Sequence, residues 1–289
     1  MSPRSVASRK FLQLGHSDNP RHVAYQTSGA GQPVVLLHPV GLDSNWWSTY
    51  TARLAERYRV IAVDVPGHGW SSPIRVPITL DDIAGDVAAV LRVETNQPTH
   101  VIGVSMGGMI AQYLALLQPD QVASLILCAT AGSFADKLRP VLRERGQAAR
   151  AGMDAVIEPT LARWFSPRGR SAYIGHNCVR TLDVNDPASW EASWHAISEV
   201  DTLKRLRTLC TPTLVITGAA DITTPPAASE ALARALPNAR LTIIPDAWHL
   251  GVFEEPQPFL AAFTAFLEHP AEDEVTIAEQ HYLSGSHHA

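Results

Sequence analysis

The chain predicts an α/β fold: a mostly parallel sheet of eight strands with helices on both faces. Three observations carry that prediction. Short, near-continuous apolar runs alternate with longer helical runs, as in strands covered on both faces. The segment Gly103-Val104-Ser105-Met106-Gly107 lies between one such run and a helical one, giving strand, sharp turn, helix. Ser105, Asp221 and His249 each fall just past the end of an apolar run. Ligand sites collect at such strand ends in open α/β sheets.

Residues 11–15 and 22–27 read as a hairpin at a sheet edge. Residues 34–37, 59–64, 99–104 and 122–129 read as inner strands, followed by 213–218 and 241–245. Helical runs fill the gaps: 47–57, 80–93, 106–117, 225–236 and 258–267. Thr79 or Asp81 can cap the second of these. Between 131 and 208 the alternation stops. Four helical stretches follow one another instead: 137–151, 153–165, 168–182 and 187–206. The expected organisation is a core of 11–130 and 209–268, a helical cap of 131–208 inserted after the sixth strand, and flexible termini at 1–10 and 269–289.

The chemistry centres on Ser105. A serine on a tight strand-to-helix turn has its hydroxyl lifted above the sheet. A side chain at Gly103 or Gly107 would collide with the neighbouring strand or helix. The same turn sets the Met106 N–H at a helix N-terminus, beside any oxyanion formed on the serine. A serine nucleophile needs a base, and the base an orienting acid. Asp221 follows the strand 213–218 and His249 follows the strand 241–245. Asp246 competes for the acid role, but it shares a loop with the base it would orient, so Asp221 is preferred. Of the 12 histidines, His38 and His68 are the serious rivals to His249. Both precede the serine, and they read as loop histidines that hold backbone near the site.

With these motifs, the chain resembles the α/β-hydrolase family from about Phe11 to Leu267. His38-Pro39-Val40-Gly41 stands where that family usually has His-Gly-x-Gly, and Asp64-Val65-Pro66-Gly67-His68-Gly69 matches its loop after the next strand. The resemblance implies an α/β-hydrolase fold and an oxyanion hole made by the N–H groups of Val40 and Met106. Pro39 departs from the pattern, and proline has no N–H to donate. Within the cap, Arg163-Trp164-Phe165-Ser166-Pro167 followed by Asp183-Val184-Asn185-Asp186-Pro187 is similar to 3-oxoadipate enol-lactonases and their relatives.

That similarity implies a hydrolase of carboxylic esters or lactones, with a small enol-lactone favoured. The alternatives on the same three residues are C–C bond cleavage of a meta-cleavage product and perhydrolysis; a non-catalytic small-ligand receptor is the remaining reading. Trp46, Phe134, Trp164, Trp190, Trp194 and Trp248 are expected to wall an apolar, aromatic pocket. Trp190 and Trp194 suit a bulkier substrate than a small dicarboxylate. A dienoate substrate would need a cationic anchor, for which Arg163 and Arg168 are the candidates.

Composition bounds the rest. Apolar residues are 46% and charged residues 18%, ordinary for a globular protein with a large core. A net charge of −5 without a basic stretch gives no footprint for nucleic acid. No apolar run is long enough to span a bilayer, and no apolar core follows the first ten residues as in a secretory signal. The three separated cysteines, Cys128, Cys178 and Cys210, suit reduced thiols and a cytoplasmic setting. No cofactor or metal is expected, because no His/Cys/Asp cluster has ligand spacing. The expected partner is a small-molecule substrate, with the chain a monomer or homodimer.

Overall fold

In the computed structural model, which describes residues 8–15, 21–75 and 77–270, eight strands form one sheet in the order β1-β2-β4-β3-β5-β6-β7-β8. They are β1 (Ser8–Leu14), β2 (Arg21–Ser28), β3 (Gln32–Leu37), β4 (Tyr58–Asp64), β5 (Thr99–Val104), β6 (Val122–Cys128), β7 (Thr213–Gly218) and β8 (Ala239–Ile244). β1 and β2 pair antiparallel, β2 joins β4 antiparallel, and every later pairing is parallel. The apolar runs of β5 and β7 are buried at every residue. β8 closes the far edge, and its Leu241 and Ile243 are exposed. An edge strand has one neighbour fewer, so its outer residues meet solvent.

The sheet is flanked by α1 (Ser48–Leu54), α2 (Leu80–Glu94) and α3 (Met106–Leu117). α2 starts at a reciprocal cap. The Thr79 hydroxyl accepts from the Asp82 N–H, and the Asp82 carboxylate accepts from the Thr79 N–H. One face of α2 then buries Ile83, Val87, Val90 and Leu91 against the sheet. α3 begins at the residue after Ser105 and is buried along most of its length. Thus the parallel strands β5, β7 and β8 all end on the same edge, with Ser105, Asp221 and His249 in the loops beyond.

Between β6 and β7 lie α4 (Arg139–Gln147), α5 (Asp154–Trp164), α6 (Pro167–Ser171), α7 (Tyr173–Asp183), α8 (Pro187–Ser198) and α9 (Leu203–Leu206). Two helices expected from the sequence are each broken in two. The run 168–182 breaks at Ala172, whose backbone is extended (φ −86, ψ 175). There α7 folds back so closely that a Cβ at Gly175 would strike the Arg170 carbonyl. The run 187–206 breaks after Ser198. Asp201 pairs with Ser133 in an isolated β-bridge, and the Thr202 N–H donates to the Gly132 carbonyl at 2.8 Å. These ties to the segment leaving β6 outweigh continuation of the helix, and residues distant in sequence supply them.

After β7 come α10 (Pro226–Ala235), α11 (Gly251–Glu254) and α12 (Pro256–Glu268). The terminal segments expected to be flexible fall largely outside the described residues. Ser8, Arg9 and Lys10 are a correction to that expectation: they pair with Thr27, Gln26 and Tyr25 as the start of β1. No helix among the described residues is long and apolar enough to cross a membrane.

Candidate active site

Ser105 occupies a strained turn, at φ 53 and ψ −116. The geometry depends on two glycines. A Cβ at Gly103 would run into the Gly107 carbonyl, and one at Gly107 into the carbonyl of Leu37. The turn is pinned from three sides. The Ser105 N–H donates to Cys128 O at 2.9 Å, and Ser105 O accepts from Thr130 Oγ1 at 2.7 Å and from Met109 N at 3.1 Å. Strain of this kind persists only where the surroundings over-determine it. The side chain's direction is thereby fixed, and Ser105 Oγ lies 3.1 Å from His249 Nε2.

On the other side of the ring, His249 Nδ1 lies 2.8 Å from Asp221 Oδ2. Asp221 is itself held by its own loop. The N–H groups of Thr223 and Thr224 donate to Oδ1 at 2.8 and 2.9 Å, and Thr224 Oγ1 donates to Oδ2 at 3.0 Å. Burial raises the Asp221 carboxyl, but the His249 charge and hydrogen bond and the two threonine N–H groups outweigh it. The net shift is below the usual carboxylate range. An ionised Asp221 accepts a hydrogen bond from the Nδ1–H of His249, so the Nε2 lone pair faces the serine hydroxyl. Ser105, Asp221 and His249 are 7%, 3% and 1% exposed, so the relay lies out of bulk water. Asp246, the competing carboxylate, is exposed in the turn after β8.

The loop 38–41 faces the elbow. His38 Nε2 accepts from the Val65 N–H at 3.0 Å, and its Nδ1–H donates to the Pro39 carbonyl at 2.8 Å. His38 therefore bridges the loops after β3 and β4 as a neutral ring, and burial lowers its pKa. The His68 ring lies beside it, tilted by 60° with centroids 5.2 Å apart, and burial pushes its pKa down to about 3. The Val40 and Met106 N–H groups have no hydrogen-bond partner among the described residues. Buried backbone donors are almost always paired, so these two, without a partner among the described residues, are available to an acceptor. The loop is packed from above. A Cβ at Gly41 would strike the Trp190 ring, and Gly41 O accepts from Asn185 Nδ2 at 2.9 Å.

A small cavity lies over Ser105. Val40, Met109, Phe134, Leu142, Arg145, Trp164, Trp194, Ile197, Thr223 and Thr224 line it together with the serine. The volume open to the centre of a water molecule is about 20 Å³. That holds about one water, at roughly 10–15 Å³ for each. A larger groove, about 410 Å³ by the same measure, runs between Ile74, Arg75, Pro77 and Ile78 on one side and α8 on the other. Its charged residues Arg75 and Glu191 are already paired, with Asp186 and Arg150.

Of the residues expected to wall the pocket, Phe134, Trp164 and Trp194 line the cavity. The others sit elsewhere. Trp46 lies between the sheet core and the 131–208 segment, with Nε1 donating to Thr181 Oγ1 at 3.2 Å and its ring against Phe165 and Phe253. Trp190 is buried above the 38–41 loop, with Nε1 donating to Arg145 O at 3.1 Å. Trp248 is half-buried outside the cavity lining. Arg163 is half-buried beside Trp164, and Arg168 is exposed on the short helix α6. Met109, Leu142, Arg145, Ile197, Thr223 and Thr224 were not foreseen. The threonine pair had a legible signal, since residues two and three after an aspartate are where its carboxylate finds N–H donors.

Comparison with known proteins agrees with this architecture. The sequence profile of the alpha/beta hydrolase fold matches residues 32–256. A pimeloyl-[acyl-carrier protein] methyl ester esterase of Chromobacterium violaceum is 32% identical over 251 residues, 84% of this chain and 97% of its own. 3-Oxoadipate enol-lactonase 1 of Acinetobacter baylyi is 27% identical over 243 residues, 81% and 88% of the two chains. The solved structure of a thermophilic esterase from Thermogutta terrifontis superposes with a TM-score of 0.84 at 27% identity, covering 92% of this chain and all of the other.

Proposed function

The chain belongs to the alpha/beta hydrolase fold family, and from that premise we propose that it is a serine hydrolase cleaving a carboxylic ester or lactone. One observation carries the reading: a continuous relay from Ser105 Oγ through His249 to Asp221, at 3.1 and 2.8 Å. His249 Nε2 takes the hydroxyl proton as Ser105 attacks the carbonyl carbon. Asp221 holds the ring in the required tautomer and stabilises the imidazolium. The N–H groups of Val40 and Met106 receive the oxyanion of the tetrahedral intermediate. His249 then protonates the leaving oxygen. In the second half-reaction it takes a proton from water, which attacks the acyl-serine; as the tetrahedral intermediate collapses to the acid, His249 returns that proton to Ser105 Oγ.

A small substrate of the enol-lactone kind is favoured. The cavity is narrow and largely apolar, and one relative is an enol-lactonase and another a methyl ester esterase. At about 20 Å³ the closed cavity is too small for such a substrate, so binding requires the cap to shift or its side chains to rotate. The test is steady-state turnover by wild type and Ser105→Ala of a panel: p-nitrophenyl esters of graded acyl length, several lactones and an enol-lactone. Turnover of esters or lactones by wild type, lost by on the order of 10⁶-fold in Ser105→Ala, is the expected outcome. Comparable turnover by the two proteins would remove Ser105 as nucleophile. A best substrate among long-chain esters would retain the chemistry and discard the enol-lactone preference.

A further inference from the structure

The motif of residues 183–187 lies at the turn from α7 to α8, outside the cavity lining. Three side chains at this turn touch the sheet core. Asp186 pairs with Arg75 at 2.7 Å, Ser189 Oγ accepts from the Ile74 N–H at 2.9 Å, and Asn185 Nδ2 donates to Gly41 O at 2.9 Å. The first two hold the loop after β4. The third holds the turn that presents Val40. The half-buried Asn185 amide is fixed by its surroundings: Nδ2 also donates to Thr181 O at 2.8 Å, and the Asn185 backbone N–H donates to Leu182 O at 3.1 Å. Both partners of Nδ2 are carbonyls, which only accept, so the amide has one orientation.

Residues 39–42 form a β-turn closed by the Leu42 N–H on Pro39 O at 3.3 Å. A trans peptide unit is planar, so the Pro39 carbonyl and the Val40 N–H point in opposite directions from one plane. Whatever orients Pro39 O therefore aims the Val40 N–H. Two donors do so: His38 Nδ1–H at 2.8 Å and the Leu42 N–H. The peptide that carries the Leu42 N–H carries Gly41 O at its other end, and Asn185 holds that oxygen. Pro39 is stiffened by its ring, whereas Gly41, at φ 77, is where the turn has most freedom. A chain of fixed planes thus runs from Asn185 through residues 41–42 to the Val40 N–H. We propose that Asn185 is a positioning residue for catalysis. It aims the Val40 N–H at the oxyanion, so the helical segment takes part in the chemistry as well as walling the cavity. The inference rests on the hydrolase reading above and adds a residue to it; Asn185 itself touches no reacting atom.

The experiment compares wild type, Asn185→Leu, Asn185→Asp and Arg75→Gln on p-nitrophenyl acetate, with kcat counted per active site titrated to completion by a fluorophosphonate. Leucine keeps the volume and removes both donors; aspartate keeps the shape and turns an acceptor on two carbonyls. Both should lower kcat on the order of 10- to 100-fold, with kcat/KM falling by the same factor, because the lost alignment acts only in the transition state. Trifluoroacetone gives a second readout. Ser105 Oγ bonds to its carbonyl carbon, His249 Nε2 takes the hydroxyl proton, and the carbonyl oxygen becomes an oxyanion with no leaving group to expel. Its inhibition constant should weaken in both Asn185 variants by a similar factor. Arg75→Gln cuts the neighbouring tie of the same turn, a largely exposed ion pair, and should keep kcat within about twofold of wild type. Wild-type kcat in both Asn185 variants, an equal loss in Arg75→Gln, or unchanged trifluoroacetone inhibition would overturn the proposal and leave the hydrolase reading standing. No Ser105-dependent turnover by wild type would remove the hydrolase reading, and the proposal with it.

Discussion

The sheet core and the 131–208 segment solve different problems with different parts. In the core, the polar groups are aimed by backbone: a strained elbow for Ser105 and two threonine N–H groups for Asp221. In the helical segment, the groups near the site are side chains on helices: Leu142 and Arg145 on α4, Trp164 on α5, Trp194 and Ile197 on α8. The contrast teaches where change is tolerated. A backbone-aimed site fails when its turn fails, whereas side chains on packed helices can be exchanged to reshape the cavity.

The largest expected effect tests the core side of that contrast. Asp221→Asn should lower kcat by on the order of 10⁴-fold, because an amide can hold the wrong histidine tautomer. Asp246→Asn, in an exposed turn, should leave kcat within about twofold. If kinetics reverse these two results, the acid assignment is wrong. Next comes a pair within the 131–208 segment. Trp190→Ala should destabilise by about 3–5 kcal/mol, as for a fully buried aromatic, without altering preference for acyl length. Trp194→Ala should instead enlarge the cavity and shift kcat/KM toward longer acyl chains. Melting temperature and kcat/KM across the ester series distinguish the two; equal effects on selectivity would dissolve the distinction between packing and lining residues.

Acid stability probes the core's buried imidazoles. Burial lowers His38, pushes His68 down to about 3 and His100 to about 4. Each folded-state pKa lies below the unfolded value of about 6.5, so the unfolded chain takes up protons that the folded chain refuses. Their stabilising contribution is complete above about pH 6.5. It is lost as pH falls from there toward the folded values, by at most about 1.4 kcal/mol per pH unit for each histidine. Asp221, depressed instead, adds stability above its unfolded value near 3.9 that is lost only in stronger acid. Denaturation between pH 8 and pH 5 should therefore show falling stability below pH 6.5; a flat profile would mean that these rings protonate within the fold. The smallest effect is Thr224→Val. Losing one hydroxyl donor to a carboxylate held by other groups should lower kcat by roughly tenfold. No change would mean that the Thr223 and Thr224 N–H groups suffice to orient Asp221.

Much of the fold was legible because strands covered on both faces are apolar throughout and their neighbours are helical. The runs of β5 and β7 needed only that pattern, and Thr79 announced the start of α2 by its capping chemistry. The elbow was legible for a steric reason: Gly103 and Gly107 leave room that no other residue could. In the helical segment the same reasoning lost precision. Period alone cannot show that Thr202 bonds to Gly132, or that α7 crosses so close to Arg170, and those contacts are what break the helices. Aromatic content pointed to a cavity wall but could not sort it. Trp190 and Trp194 are four residues apart on one helix, yet the first covers a loop and the second faces the serine.

By itself, then, the sequence determined the strand order of chemistry: a serine, an acid and a histidine, each released at the end of a parallel strand. Local sterics and apolar periodicity act over a few residues, and a linear chain displays both. Tertiary structure alone decided which side chains of 131–208 meet Ser105, and that the Val40 and Met106 donors have no partner among the described residues. Those facts depend on contacts between residues tens to more than a hundred positions apart, and on the absence of a partner as much as on its presence. Neither is written in the spacing of residues along one segment.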